Sequence, residues 1–101
     1  MDNMFISAGE NIQPEEIEQA IYKIKTIQRA IIIPIEDPVF GLQPLAFIKT
    51  TNKKLLNPSV LAKHLEKNLP KFKIPKTIKP WPKIIPWQNP KINRSLFKNY
   101  I

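Results

Sequence analysis

The stretch that decides the fold runs Ser7-Ala8-Gly9-Glu10-Asn11-Ile12-Gln13-Pro14-Glu15-Glu16-Ile17-Glu18. Gly9 is one of two glycines in the chain, and its permissive backbone suits a tight turn or a close approach by a ligand. Pro14 suits the first position of a helix because the amide hydrogen that proline lacks would be unpaired there. The stretch therefore predicts a turn that leads directly into a helix.

The helix that begins at Pro14 carries one apolar stripe at helical spacing. Ile12 is placed to pack on Ile17 as a hydrophobic staple. Acidic side chains stabilise the first turn of a helix, and we expect that role, rather than acid–base catalysis, for Glu15, Glu16 and Glu18. The stripe consists of Ile17, Ala20, Ile21 and Ile24.

Further along the chain, two short apolar runs predict neighbouring strands. Residues 30–33 are typical of a strand buried on both faces. Residues 36–41 have the composition of a turn. Residues 45–48 predict a second strand, antiparallel to the first.

A second helix is predicted from Pro58, with three leucines (61, 65 and 69) at four-residue spacing and Pro70 at its end. Nearby prolines limit residues 77–81 to a short edge strand, and a final amphipathic helix follows Asn93, a suitable N-cap. The order of elements predicts an α+β domain, with a small three-stranded sheet flanked by helices and preceded by a short β-hairpin.

Composition excludes several classes of protein. The chain has 101 residues, enough for one domain, and 43% of them are hydrophobic. It has no cysteine and one histidine, so it lacks disulfides and thiolate nucleophiles, and we expect no metal site. No apolar run reaches the roughly 20 residues of a membrane span, and the start lacks the basic residues of a secretion signal. We therefore expect a cytoplasmic protein that does not contact membranes.

Charge is distributed unevenly between the two halves of the chain. Residues 1–50 hold seven acids and four bases, whereas residues 51–101 hold twelve bases and one acid. The first half thus carries −3 and the second +11, out of a total of +8. Such asymmetry favours a polyanionic ligand at the second half, and a solvated lysine-rich surface is the alternative.

Four motifs in order resemble the small C-terminal subdomain of the adenylate-forming acyl-CoA ligases. Residues 7–18 match the family pattern S-G-G-E-N-I-x-P-x-E-I/V-E, and residues 37–41 match D-x-x-F-G. Residues 72–76 match F-K-x-P-K, and residues 91–94 match the end of I-K-I/V-x-R. The resemblance covers essentially the whole chain. It implies an AMP-forming ligase that makes an acyl-adenylate and then a CoA thioester.

The resemblance also implies roles for individual residues. Lys91 corresponds to the catalytic lysine that contacts the carboxylate and the α-phosphate during adenylation, and Asp2 corresponds to the hinge aspartate. Phe72 and Lys76 correspond to positions that contact the CoA nucleotide in some relatives. The loop that lines the pantetheine tunnel corresponds to Gly9, Glu10 and Asn11.

The resemblance further implies that residues 1–101 form a mobile subdomain that starts at the hinge, without the large N-terminal ATP-binding domain. That domain, a small carboxylic acid, ATP and CoA are then the partners. ATP, CoA and Mg²⁺ would serve the full-length enzyme, and we expect none to be bound by the fragment alone, which should be inactive.

The charges around Lys91 support this role independently. Lys91 and Arg94 gather positive charge at the start of the final predicted helix, where free amide groups also favour an anion. We therefore expect Arg94 to assist anion binding, although a solvated loop lysine remains the alternative for Lys91. Three positions depart from the family pattern. Ala8 replaces a glycine and should stiffen the loop, Pro90 precedes Lys91, and Ile74 is apolar where some relatives have arginine.

Other interpretations stay open at this point. The chain could belong to a ligase for another acyl or aryl acid, or to a carrier-protein adenylation enzyme. A small basic nucleic-acid-binding module would use the lysines of residues 53–98 and stack bases on Trp81 and Trp87. We expect these tryptophans to be buried instead, and His64 to be a packed or surface residue. A standalone interaction domain is the third possibility.

Overall fold

The computed structural model describes residues 3–101. Asp2, the expected hinge residue, lies outside the described residues. Seven regular elements and three short 3₁₀ helices follow one another. The strands are β1 (Phe5–Ser7), β2 (Glu10–Ile12), β3 (Ile27–Asp37), β4 (Gly41–Thr50) and β5 (Thr77–Pro80). The α-helices are α1 (Pro14–Tyr22) and α2 (Pro58–Leu65), and the 3₁₀ helices are Lys53–Leu56, Lys71–Lys73 and Arg94–Tyr100.

The strands form two sheets, as expected for this α+β class. β1 and β2 pair as an antiparallel hairpin with Ser7 opposite Glu10. The second sheet has the order β3-β4-β5, with β3 and β4 antiparallel and β5 parallel to β4. The predicted short β-hairpin and three-stranded sheet are therefore confirmed.

The two long strands extend well beyond the apolar runs that predicted them. Each contains a proline, and Pro34 lies opposite Pro44 in the register. The two prolines, which lack an amide hydrogen, thus form one cross-strand pair. The loss of backbone hydrogen-bond donors is therefore confined to a single pair of the β3–β4 ladder. β5 pairs only with residues 45–48 of β4, so it does not need a donor at Pro44.

The centre of the three-stranded sheet is buried on both faces, as predicted for residues 30–33. Ile32 and Ile48 join α1 and α2 in one apolar cluster. The opposite face carries a second cluster, in which Phe97 packs against Phe47 and Trp81 with ring centroids 5.1 and 4.9 Å apart. That cluster consists of Ile31, Ile33, Leu45, Phe47, Trp81, Ile85 and Phe97.

The predicted helices are confirmed at their starts and corrected at their ends. α1 begins at Pro14 and ends before Ile24, the last residue of its predicted stripe. α2 begins at Pro58 and ends before Leu69. The final helix is a 3₁₀ helix, and the side chain of its N-cap Asn93 accepts a bond from the Ser95 amide. Within residues 3–101, no helix combines the length and the apolar character that a membrane span requires.

Candidate functional site

The turn of the β1–β2 hairpin consists of Ala8 and Gly9, both in the left-handed region with φ of +51° and +79°. A two-residue hairpin turn with two positive φ angles is the type I′ turn, whose twist matches that of the strands. Alanine adopts this conformation at a cost of about 1 kcal/mol. The Ala8 amide donates to the carbonyl of Phe40 over 3.0 Å, which ties the hairpin to the β3–β4 turn.

Gly9 has open space where a side chain would stand. A Cβ built at this position meets no atom within 4 Å. The glycine is therefore required by its backbone conformation, and its outer surface is accessible to a ligand. Glu10 and Asn11 are exposed beside it.

The D-x-x-F-G motif forms the turn between β3 and β4. Asp37 Oδ1 accepts the amides of Val39 and Phe40 over 2.7 and 2.8 Å, and its Oδ2 accepts the Gln43 side-chain amide over 2.6 Å. The amide of Phe40 contributes most to lowering the pKa of the Asp37 carboxyl below its ordinary value. Gly41 completes the turn with a φ of +81°.

A cleft of about 260 Å³ brings three of the motifs together. Its wall includes Ala8 from the hairpin turn, Phe40 from the β3–β4 turn, and both Phe72 and Lys76. The Lys76 ammonium lies 5.2 Å from the centroid of the Phe40 ring, within the range of a cation–π contact. The remaining lining residues are Ser7, Asp37, Gln43, Pro44, Lys71 and Ile74.

The cleft contains some of the residues that were predicted to bind CoA, together with residues that were not. Phe72 and Lys76 both line it, whereas Gly9, Glu10 and Asn11 do not, although Ala8, the neighbour of Gly9 in the chain, does. Phe40 also lines the cleft. It belongs to the D-x-x-F-G motif but was not among the residues predicted to bind CoA. Ile74 is buried in the first apolar cluster, so an apolar residue here serves the core.

Lys91 lies outside this cleft. Its side chain is exposed, and its amide donates to Asn89 Oδ1 over 3.0 Å. The helix that follows is a seven-residue 3₁₀ helix, whose hydrogen bonds have poorer geometry than those of an α-helix. The structure thus presents two separate places, the cleft and the Lys91 segment, which we define as residues 87–94.

The structure gives Arg94 contacts that its sequence did not predict. Its guanidinium forms a two-pronged ion pair with Glu18, Nη1 to Oε2 at 2.7 Å and Nη2 to Oε1 at 3.0 Å. The same Nη1 donates to the Ile32 carbonyl over 2.7 Å, and Nη2 lies 3.5 Å from Glu15. These contacts give Arg94 a structural role, and its anion-assisting role stays a prediction.

Glu18 differs from the expectation of simple first-turn stabilisation, whereas Glu15 and Glu16 lie in the first turn of α1 as expected. Glu18 is 92% buried, and its Oε2 accepts the Ile32 amide over 2.8 Å in addition to Arg94. The interpretation of Glu18 as a first-turn residue was therefore wrong, because its partners are distant in sequence. Glu15 is exposed, and the side-chain amide of Asn3 contributes most to lowering the pKa of its carboxyl.

The remaining candidates have structural positions. Trp81 is 6% exposed and its Nε1 donates to the Ile85 carbonyl over 2.8 Å, while Trp87 is half-buried against the second cluster. These positions do not support base stacking by Trp81. His64 is a surface residue whose Nδ1 lies 3.0 Å from the Val60 carbonyl oxygen. Among residues 3–101, no group of three or more acidic or histidine side chains is arranged to hold a metal.

Comparison with known proteins shows the family. The model of the AMP-binding enzyme C-terminal domain matches residues 16–86. The chain belongs to this family. As an AMP-binding enzyme C-terminal domain it is 38% identical over 77 residues to the 2-succinylbenzoate–CoA ligase of Oceanobacillus iheyensis, which covers 76% of the chain. It is 36% identical over 77 residues to the peroxisomal trans-cinnamate:CoA ligase of Petunia hybrida, which covers 75% of the chain.

Solved structures give the same result. A single-residue variant of Escherichia coli MenE with bound OSB-AMS superposes with a TM-score of 0.79 and 29% identity over 97% of the chain. The motifs most resemble those of the o-succinylbenzoate–CoA ligases, and the Oceanobacillus iheyensis ligase and MenE confirm that likeness. The chain spans 16%, 13% and 20% of the lengths of these three proteins.

Proposed function

We propose that this chain is the mobile C-terminal domain, residues 1–101, of an AMP-forming o-succinylbenzoate–CoA ligase, an enzyme of menaquinone biosynthesis. The observation that carries the proposal is the cleft. It joins Ala8, Phe40 and Lys76, which belong to three different family motifs and are distant in the sequence. The remainder of the ligase would supply the ATP pocket and the acid-binding pocket, and Asp2 would be the hinge. Because the reaction uses ATP and CoA, we propose that the enzyme is cytoplasmic.

In the first half-reaction, the carboxylate of the acid attacks the α-phosphate of ATP and pyrophosphate leaves. We assign Lys91 to this step. Negative charge builds on the α-phosphate in the transition state, and a fixed ammonium directed at it contributes a few kcal/mol of stabilisation. Lys91 is exposed and available for such a contact. Mg²⁺ belongs to the full-length enzyme in this proposal, and the described residues provide no cluster that fits it.

In the second half-reaction, the thiol of CoA displaces AMP from the acyl-adenylate. We assign the cleft and the adjacent Gly9 turn to CoA. The open backbone at Gly9 allows the pantetheine arm to approach closely. Lys71 and Lys76 bring positive charge for the CoA phosphates, and the aromatic rings of Phe40 and Phe72 offer surfaces for the adenine.

The test uses the polypeptide that carries this chain together with its ATP-binding part. Incubated with ATP, Mg²⁺, CoA and o-succinylbenzoate, it should release pyrophosphate and AMP and form the CoA thioester. Trans-cinnamate and a fatty acid serve as competing substrates, since relatives act on different acids. Preference for one of these acids would replace the substrate assignment, and absence of acyl-adenylate with every acid would refute the proposal.

A further inference from the structure

Lys91 lies on a loop, and an arginine of the sheet holds the part of that loop that precedes Lys91. The Arg29 guanidinium Nη1 donates to the carbonyl of Trp87 over 3.0 Å and to the carbonyl of Asn89 over 2.7 Å. Asn89 in turn accepts the Lys91 amide on its side-chain oxygen over 3.0 Å. Arg29 is therefore connected to the Lys91 backbone through a single residue.

A second fastening lies on the C-terminal side of Lys91. Arg94 donates to the carbonyl of Ile32 and pairs with the buried Glu18 carboxylate. Arg29 belongs to β3, and Ile32 is three residues further along the same strand. Between the two fastenings, Ile92 packs against the second apolar cluster. Both ends of the Lys91 segment are thus held to one rigid strand.

This arrangement has a consequence for the lysine side chain. The Lys91 ammonium stands on a flexible four-carbon side chain and must reach a phosphate oxygen. The protein can control the position of the ammonium by fixing the backbone from which the side chain starts. Pro90 restricts the backbone just before Lys91 but contributes no amide hydrogen, so the hydrogen bond from Lys91 to Asn89 fixes the turn.

We propose that Arg29, acting through Asn89, is a positioning residue for the Lys91 ammonium in acyl-adenylate formation. The catalytic part of this inference rests on the proposed function, whereas its structural part does not. Arginine suits the role because one planar guanidinium holds two carbonyl oxygens in a fixed geometry, which a lysine ammonium does less well.

The structural part is tested on this chain by amide hydrogen exchange. Arg29→Met removes the donors and keeps an apolar stem, and Lys49→Met is the matched control, since Lys49 is a cation directly opposite Arg29 in the register. Loss of the two hydrogen bonds from Arg29 predicts roughly 5- to 30-fold faster exchange at the Lys91 amide in Arg29→Met, with the Ile32 amide and the Lys49→Met protein unchanged. Equal acceleration at Lys91 and Ile32, or none at Lys91, would overturn the inference.

The catalytic part is tested on the whole ligase. Arg29→Met should lower kcat for pyrophosphate release about 10- to 100-fold, the scale of a small misplacement of a catalytic group, while leaving the KM for ATP and thioester formation from supplied acyl-adenylate unchanged. Arg29→Lys should restore part of the rate. In a Lys91→Ala background, Arg29→Met should have no further effect.

The outcomes separate the two proposals. If Lys91→Ala does not slow adenylation, the proposed function of Lys91 fails, whatever the exchange data show. If Lys91→Ala slows adenylation but Arg29→Met does not, or if Arg29→Met slows it further without Lys91, the positioning role of Arg29 is wrong and the proposed function stands.

Discussion

The buried carboxylate of Glu18 provides a quantitative test of how this domain is held together. It accepts three hydrogen bonds, one from the Ile32 amide and two from the Arg94 guanidinium. Glu18→Ala removes the acceptor for all three donors. The change leaves the amide of the fully buried Ile32 without a partner and Arg94 without its closest counter-ion.

The size of the effect follows from these contacts. Removing one partner of a buried ion pair costs about 3–5 kcal/mol. The Arg94 side chain is 25% exposed, and in the variant it can still donate to the Ile32 carbonyl. We therefore expect a loss at the lower end of this range, about 3 kcal/mol. For a domain of this size, that loss lowers Tm by about 12–24 °C. Glu18→Gln should lose less, because the amide oxygen can still accept the Ile32 amide.

Urea denaturation followed by tryptophan fluorescence measures this loss, because Trp81 is buried in the native state. Glu16→Ala is the matched control. Glu16 is two residues from Glu18 on the same helix, and its carboxylate forms an exposed ion pair with Lys73 at 2.7 Å. Removing this pair should lower the free energy of unfolding by less than about 1 kcal/mol. The helix propensity gained by alanine is the same in both variants. Equal, small losses in the two variants would refute the importance of the buried pair.

Three further predictions concern the site and the core. Ala8→Gly should raise the free energy of unfolding by about 0.5–1 kcal/mol in urea titrations, because glycine adopts the left-handed turn without alanine's penalty, and a loss of stability would contradict this. The native pKa of Asp37 lies below its ordinary value of 3.8, so its contribution to stability is complete above about pH 5 and disappears as the pH falls through the native pKa; Asp37→Asn should reduce the acid dependence of unfolding, and an unchanged pH profile would count against the turn. Phe97→Ala should cost about 3–5 kcal/mol in the same urea titrations, because it empties the centre of the second cluster, and a loss below about 1 kcal/mol would show that the final helix is dispensable.

Local patterns predicted the helix starts and the buried strands because their causes are local. Proline at the first helical position, the spacing of Ile17 and Ile21, and the β-branched run at residues 30–33 each act through near neighbours. The lengths of β3 and β4 were underestimated because the strands were predicted only from their apolar centres, residues 30–33 and 45–48. That Pro34 faces Pro44 depends on the register of two strands, which a single pattern does not contain.

The candidate site was predicted in its parts but not in its assembly. Motif order indicated Phe72, Lys76 and Lys91, whereas the contact of the Ala8 amide with the Phe40 carbonyl is a tertiary event. The pair of Glu18 and Arg94 is separated by 76 residues. An acidic residue beside an apolar helix stripe was the available signal, and it could not identify its partner.

Lys91 and the cleft beside Gly9 are assigned to different half-reactions, and one pair of half-reaction assays on the whole ligase tests this division. Pyrophosphate release reports acyl-adenylate formation, and CoA thioester formation from supplied acyl-adenylate reports the second step. Lys91→Ala should slow the first reaction at least ten-fold more than the second. Gly9→Val should slow the second reaction more than the first. Equal losses in both reactions for Lys91→Ala would contradict this division.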